Sequence, residues 1–500
     1  MRKVMLAASL FFVALLFASN ADAVTMGVNT TNDSFAVPGE CSLRSAVHAA
    51  EQDSPTGGCP AGSGVDVVQV PAGTYKLSRL GSGEGSGTTG DLDVTGPDKL
   101  TIEPAGSDAQ VTIDGLRKDR IFDHLGAGGE LEITGMTLTR GLAKDGGSES
   151  DGSEGGAIRS LSGKLILRSV LLFDSRSLSD GGAVYSGAQL SVINSTISAN
   201  KADRSGGAIF NDVNGTSVVR SSTIAFNRAD SNVTGTGGGG GIFDQSALGF
   251  NMVNTILADN LDATASDPDP APDCKSGPSF FPRYVISTQA LGSGQCLTGF
   301  DPGTNLAPAN PRIEALADNV GQTFTHAIAP GSPAIDAGGS PGGIDECPLV
   351  DQRGVLRPAG ECDIGAYEYD ANTLPAEPLP GRREPSPTIA TYETATGKLH
   401  IRLKCPARFK PKCISEALPL TRKRNGQPMA AVERVKTLSN RFKRVTFQIK
   451  PAFRGTVKLM TFVDRKKLVV KQKIKSKRVR AKKAKRPSTV FHTYKVRVRL

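Results

Sequence analysis

Apolar and polar residues alternate in short runs through the middle of the chain, as in Gln189-Leu190-Ser191-Val192-Ile193-Asn194. No stretch there holds a 3.6-residue period over helical length, so the pattern predicts short strands separated by turns. The runs recur. Gly155-Gly156-Ala157-Ile158 is followed by Gly181-Gly182-Ala183-Val184 and Gly206-Gly207-Ala208-Ile209, at intervals of 26 and 25 residues. After a glycine-rich insertion comes a fourth copy, Gly240-Gly241-Ile242. A second phrase alternates with the first: Asn194 to Asn200, Ser221 to Asn227, and a variant from Asn254 to Asn260.

A period of this size marks a repeat architecture, and about 25 residues hold three short strands and three turns. Coiling such units stacks each strand on its copy about 4.8 Å away. Ile158, Val184, Ile209 and Ile242 then form an inward apolar ladder. Asn200, Asn227 and Asn260 form an amide ladder at a turn, where stacked amides satisfy one another. A β-propeller needs units of about 40 residues or more, longer than these.

The 500 residues exceed one ordinary core. At the start, Arg2 and Lys3 precede an apolar run from Val4 to Ala18 and the small residues Ala21-Asp22-Ala23. That order reads as a secretory signal over residues 1–23, and the run falls short of the roughly 20 residues of a membrane span. No later segment is apolar enough to span, so a secreted or cell-surface protein is expected. Eight Cys in an exported chain suggest disulfides. Eight cysteines allow many connectivities, so the sequence leaves the pairing open; the simplest, sequential pairing, gives Cys41–Cys59, Cys274–Cys296, Cys347–Cys362 and Cys405–Cys413. Without paired CxxC motifs and with five His, zinc is not expected.

The net charge of +10 conceals a split. Residues 371–500 carry 35 Lys/Arg against 6 Asp/Glu, or +29, and the remainder carries −19. Residues 371–391, rich in Pro and polar side chains, read as a linker. Beyond it, alternating segments at Lys398–Cys405, Arg441–Lys450, Thr456–Val463, Leu468–Ile474 and Thr493–Leu500 predict a small basic β-sandwich of Ig-like outline over 392–500. The run from Lys475 to Arg486 is too basic for a core. Such a domain suits an anionic envelope polymer, a polysaccharide or a lipid surface. Nucleic acid is not expected of an exported chain without a nucleic-acid motif.

The middle repeats resemble those of polymorphic outer-membrane-type β-helix proteins. Their flanks resemble the CSLREA and choice-of-anchor Q families of exported bacterial proteins. Cys41-Ser42-Leu43-Arg44-Ser45-Ala46-Val47 departs mildly from the CSLREA phrase. Downstream come Ser332-Pro333-Ala334-Ile335-Asp336-Ala337-Gly338, Asp351-Gln352-Arg353-Gly354 and Cys362-Asp363-Ile364-Gly365-Ala366-Tyr367-Glu368. The resemblance spans residues 28–369 and implies an all-β protein. Residues 24–370 would form a right-handed parallel β-helix with a CSLREA-like cap and a choice-of-anchor Q-like end. These families have no established common reaction and usually end in a surface anchor, which is not recognisable here.

Polysaccharide lyases and hydrolases on such coils gather carboxylates, or calcium with a basic residue, on one strand face. Asp119-Arg120 and Asp123-His124 form the nearest cluster, and Asp174 and Asp180 flank a turn. None is expected to meet a second carboxylate in register on the next coil. Asp336 and Asp363 read as turn ties. The acidic, glycine-rich Asp145–Glu154 loop lacks calcium-site spacing. The residues after the repeat Ile/Val, namely Arg159, Tyr185, Phe210 and Phe243, should point outward by alternation. Tyr185, Phe210 and Phe243 then make either an exposed binding strip or a row covered by a loop or turned into a second core. The expected function is a non-catalytic structural or adhesive surface protein without cofactor or metal. The alternative is a lyase or hydrolase acting on the coil face.

Overall fold

The computed structural model describes residues 23–369, apart from 82–84, 127, 145–151, 236, 265–270, 278, 290–295, 297–303, 340–346 and 359–361. Beyond residue 386 it describes seven strands. The signal segment up to residue 22, the Cys405–Cys413 pair, and the segments Leu468–Ile474 and Lys475–Arg486 lie outside the described residues.

Regular structure is almost all strand, and every strand pairing between Val24 and Ser287 is parallel. A representative coil contains Val184–Ser186, Gln189–Ile193, Thr196–Ser198 and Lys201–Ala202. Each of these pairs with its counterpart one coil later. A coil therefore has four strands rather than the expected three, because a two-residue strand is too short to show alternation. The counterparts build a seven-stranded sheet, a fifteen-stranded sheet in two arms and a five-stranded sheet. The long strand Phe250–Ala258 belongs to both arms and joins them.

Three fully buried apolar ladders fill the coils. Leu92, Phe122, Ile158, Val184, Ile209 and Ile242 follow one another in register on the seven-stranded sheet. Ile133, Leu167, Val192 and Val219 do so on the first arm, and Leu138, Leu172, Ile197 and Ile224 on the second. The repeated glycines have distinct duties. Gly155, Gly181, Gly206 and Gly239 have positive φ, and a Cβ there would lie 2.1–2.4 Å from the carbonyl oxygen three residues on in the same coil, whereas a Cβ on Gly156, Gly182 or Gly207 would lie 2.1–2.2 Å from a carbonyl oxygen of the next coil. The fourth copy is accordingly Gly239-Gly240-Gly241-Ile242, with Gly241 in the alanine position.

The amide ladder forms at a buried corner. Asn227 Oδ1 accepts from Asn200 N and Nδ2, both at 3.0 Å, while Asn227 Nδ2 donates to Ile197 O, Ala225 O and Asn260 Oδ1. Each buried polar group left unpaired costs about 1–3 kcal/mol, so Asn227→Ala is expected to lose at least about 2 kcal/mol. Asn227→Asp should lose a comparable amount, since a carboxylate cannot donate to the two carbonyls. Urea unfolding followed by circular dichroism checks this, and near-wild-type midpoints for both variants would contradict it.

Helix α1, Leu43–Glu51, packs on the first coils. The alternation-based reading did not anticipate it. Ser42 caps it by accepting from Ser45 N at 3.0 Å, and Leu43, Ala46, Val47 and Ala49 enter the core. Disulfides join Cys41–Cys59, Cys274–Cys296 and Cys347–Cys362.

After a last parallel bridge between Ile286 and Leu306, the described residues up to 369 leave the coil. They fold back along the second arm as a strap, with Gln322 Nε2 reaching Gly106 O and Gln110 Nε2 reaching Gly321 O. Gln352 locks into the coils by accepting from Thr196 Oγ1 at 2.6 Å and donating to Val170 O. Gly365 lies against Ile256 with φ +111°, a backbone conformation that accounts for glycine there. Under the strap, Ala225, Ile256, Ala258, Ile286, Ile328, Ala334 and Ile364 form a second small core. Asp363 ties turns as expected: Oδ1 accepts from Asp336 N at 2.8 Å and Oδ2 from Tyr369 N. Asp336 contributes its backbone N–H to that tie.

His326 sits beneath the strap, with Nε2 on Ser198 Oγ at 3.0 Å and Nδ1 on Glu314 O at 2.7 Å. Burial pushes its pKa down to about 4. With the folded value below the unfolded 6.5, its stabilisation is present above pH 6.5 and is lost as pH falls towards 4. Asp363, raised to about 7 chiefly by burial, acts oppositely: its contribution is lost as pH rises from 3.8 towards 7. The stability of wild type relative to His326→Gln should therefore be larger at about pH 7.5, above the His window, than at about pH 4.5, near its lower end. Equal differences in urea unfolding at both pH values would refute the assignment.

The chain's contacts divide it between Ala371 and Asn372. The second unit contains antiparallel sheets of three strands (Pro387–Glu393, Lys398–Lys404, Phe442–Gln448) and four strands (Glu433–Leu438, Lys412–Leu420, Gly455–Val463, Val490–Val498). Pro387–Glu393 starts within the segment read as linker, and Lys412–Leu420 and Glu433–Leu438 escaped the alternation reading.

Candidate functional site

The outer row of the seven-stranded sheet runs, in register, Asp93, Asp123, Arg159, Tyr185, Phe210, Phe243 and Lys275. Strand alternation turns it away from the apolar ladder, and coil stacking aligns it. It has a charged end and an aromatic centre.

At the charged end Asp123 does face a second carboxylate in register, Asp93, contrary to the sequence expectation. The two are 30 residues apart on coils without the Gly-Gly tag, so the 25-residue period did not connect them. Oxygens of Asp91, Asp93 and Asp123 lie within 4.8 Å of one another, and all three residues are buried. Their charge is met by guanidinium groups. Arg159 grips Asp123 with Nε at 2.9 Å and with Nη2, while Arg120 Nε reaches Asp91 Oδ2 at 2.7 Å. Gly87 N donates to Asp93 Oδ2 at 2.7 Å. The group resembles cation ligands in composition, but two arginines stand where a cation would compensate it. Asp119 is also buried, and its Oδ1 accepts from Arg120 N.

His124 is not the acid–base partner of Asp123. Adjacent strand residues face opposite ways, and His124 Nδ1 lies 2.9 Å from Ser160 Oγ, fully buried. Burial pushes its pKa down to about 4. Asp174 is separate, paired with Arg117 at 2.5 Å on the surface. Asp180 accepts from Ser205 N at 2.9 Å and meets Arg204 at 3.3 Å beside the aromatic row. Of the acidic loop 145–154, residues 145–151 lie outside the described residues, while Arg120 holds the carbonyls of Gly152 and Glu154 at 3.0 Å.

The aromatic centre lies between the two arrangements allowed by the sequence. Tyr185 and Phe243 are half-buried and Phe210 is 6% exposed. Tyr185–Phe210 and Phe210–Phe243 stack with centroids 5.3 Å apart and ring planes within 5°. The rings border a cleft of about 300 Å³ with Glu154, Asp180, Arg204, Ser205, Asp212 and Gln245. The Tyr185 hydroxyl is held well above its ordinary pKa, first by burial and then by its hydrogen bond to Asp212. It is a permanent donor at physiological pH. Chemically, the cleft offers a low apolar wall, hydrogen-bonding groups and excess negative charge.

No helix among the described residues is long and apolar enough to cross a membrane. A scan against protein-family models finds no match to this chain, and a search of curated proteins finds none.

Proposed function

We propose that this is an exported, non-catalytic surface protein: a right-handed parallel β-helix that binds glycan on the aromatic row, followed by a basic, Ig-like β-sandwich that contacts anionic envelope material. The observation carrying the reading is the in-register stack of Tyr185, Phe210 and Phe243 beside an open cleft. Concave sites with an apolar wall and a few convergent polar groups are the usual place for a ligand. Three disulfides and the signal-like start support export. Membership of the CSLREA and choice-of-anchor Q families is part of the proposal. It draws support from the placement of their phrases: Arg44 is buried in the cap, and Gln352 and Gly365 lie against the coils.

A second reading has its own observation. Asp91, Asp93 and Asp123 converge on one coil face, as a glycan lyase or hydrolase requires. The bidentate Arg159–Asp123 pairing argues against it, because both Asp123 oxygens are already engaged by one guanidinium. Incubation of the full chain with neutral, acidic and amino-sugar glycans separates the readings. We expect retention without cleavage, and retention to fall at least about tenfold in Tyr185→Ala/Phe243→Ala. Cleavage abolished by Asp123→Asn would establish the enzyme instead, and absence of retention across the panel would remove glycan binding.

A further inference from the structure

The ring stack determines what the adjoining cleft can recognise. At 5.3 Å spacing with nearly parallel planes, the facing sides of Tyr185, Phe210 and Phe243 are occupied by one another. Phe210 has a ring on both faces. The cleft therefore meets mostly ring edges, and face-on stacking of sugars, the usual aromatic contribution to glycan binding, is largely unavailable. Selectivity must come from the polar lining.

That lining is acidic. Glu154, Asp180 and Asp212 face it with Arg204, and Arg204 is paired with Asp180 at 3.3 Å. Glu154 approaches Arg159 only to 4.0 Å, and Arg159 is already gripped by Asp123. Asp212 neighbours the hydroxyl of Tyr185, a neutral group. Glu154 and Asp212 thus leave negative charge in a half-sheltered site, where a full charge outweighs the weak positive polarity of ring edges.

Resting on the glycan-binding reading above, we infer that the cleft selects an amine-bearing glycan: a chain of amino sugars with free nitrogen, its ammonium groups set against Glu154 and Asp212. Ser205 and Gln245 serve the sugar hydroxyls. A basic peptide would offer the same charge. However, every strand of this sheet from Phe122–His124 to Ile242–Asp244 is paired on both sides, so a peptide cannot bind there by adding a strand. A hydroxyl-rich chain recognised through side chains suits the surface better.

The test is calorimetry on the full chain with a glucosamine oligomer, its fully N-acetylated counterpart of equal length and an oligolysine peptide, at a pH that protonates the amine. The free-amine oligomer should bind about tenfold or more tightly than the acetylated one, and the double variant Glu154→Gln/Asp212→Asn should bring the two within about twofold. Added salt should weaken only the free-amine interaction. Equal or tighter binding of the acetylated oligomer overturns the inference while leaving glycan binding intact. So does a preference that survives the double variant. Oligolysine binding more tightly than glucosamine, with the gain lost in the double variant, makes this a peptide site and overturns it too. If no glycan binds, both readings fail together.

Discussion

Arg44→Met should cost the parallel unit on the order of 3–5 kcal/mol, the range for stripping one partner from a buried ion pair. The Arg44 side chain is fully buried on α1. Nε meets Asp33 Oδ1 at 2.7 Å, and the two terminal nitrogens hold the carbonyls of Gly87, Thr89, Gly90 and Asp91 at 2.7–3.1 Å. Methionine fills comparable space but donates nothing, so four carbonyls and a carboxylate lose a shared donor. Lysine should rescue only part, since an ammonium lacks the planar fork that serves several acceptors. The damage should spread to the charged end of the site, because this loop supplies Asp91 to Arg120 and Gly87 N to Asp93. Urea unfolding measures the loss, and hydrogen exchange over residues 87–93 measures the loosening. A wild-type midpoint with unchanged exchange would show that Arg44 does not hold the cap to the coils.

Gly182→Ala is expected to be worse than Gly181→Ala, although the two glycines are neighbours. At Gly181, with φ +69°, alanine meets left-handed strain of about 1–3 kcal/mol, and its Cβ would lie 2.4 Å from Val184 O, a clash inside the same coil that the turn itself can absorb. At Gly182 a Cβ would lie 2.2 Å from Gly207 O and 2.5 Å from Lys201 C. Both obstacles are backbone, so neither can rotate away, and the coils must separate locally. That breaks ladder bonds above and below, and the loss should exceed the roughly 1–3 kcal/mol of ordinary overpacking. Expression and thermal melts of the two variants provide the comparison. A Gly182→Ala variant as stable as Gly181→Ala would mean that coil spacing here is softer than the contacts imply.

Much of the coil was legible because its repeat carries a physical requirement at each position. Ala157, Ala183 and Ala208 precede the inward Ile158, Val184 and Ile209, and the residues that follow these turn outward. Two aligned copies therefore specify the register of the rest. The asparagine ladder was legible for the same reason. Legibility ended where coils change length. Leu92-Asp93-Val94 and Phe122-Asp123-His124 are copies of the same strand without the glycine tag, and only backbone pairing places Asp93 opposite Asp123. The helix Leu43–Glu51 was missed because its apolar positions follow a disulfide-bonded phrase read as a motif rather than as a period.

The disulfides Cys41–Cys59, Cys274–Cys296 and Cys347–Cys362 match sequential pairing, one of the connectivities the sequence left open. By itself the sequence determined the parallel stacking of equal repeats, the inward ladders and the outward row Tyr185, Phe210 and Phe243. Each follows from alternation and periodicity, which are local properties of the chain. The tertiary structure alone decided that these rings present edges, because coil spacing brings them face to face. It also decided that Arg120 and Arg159 compensate the buried carboxylates. Stacking likewise holds Ala199 and Phe226 at φ +61°, corners that neither side chain favours on its own. The strap belongs with these. Its docking rests on contacts such as Gln352 with Thr196, 156 residues away, and no local pattern encodes a pairing over that distance.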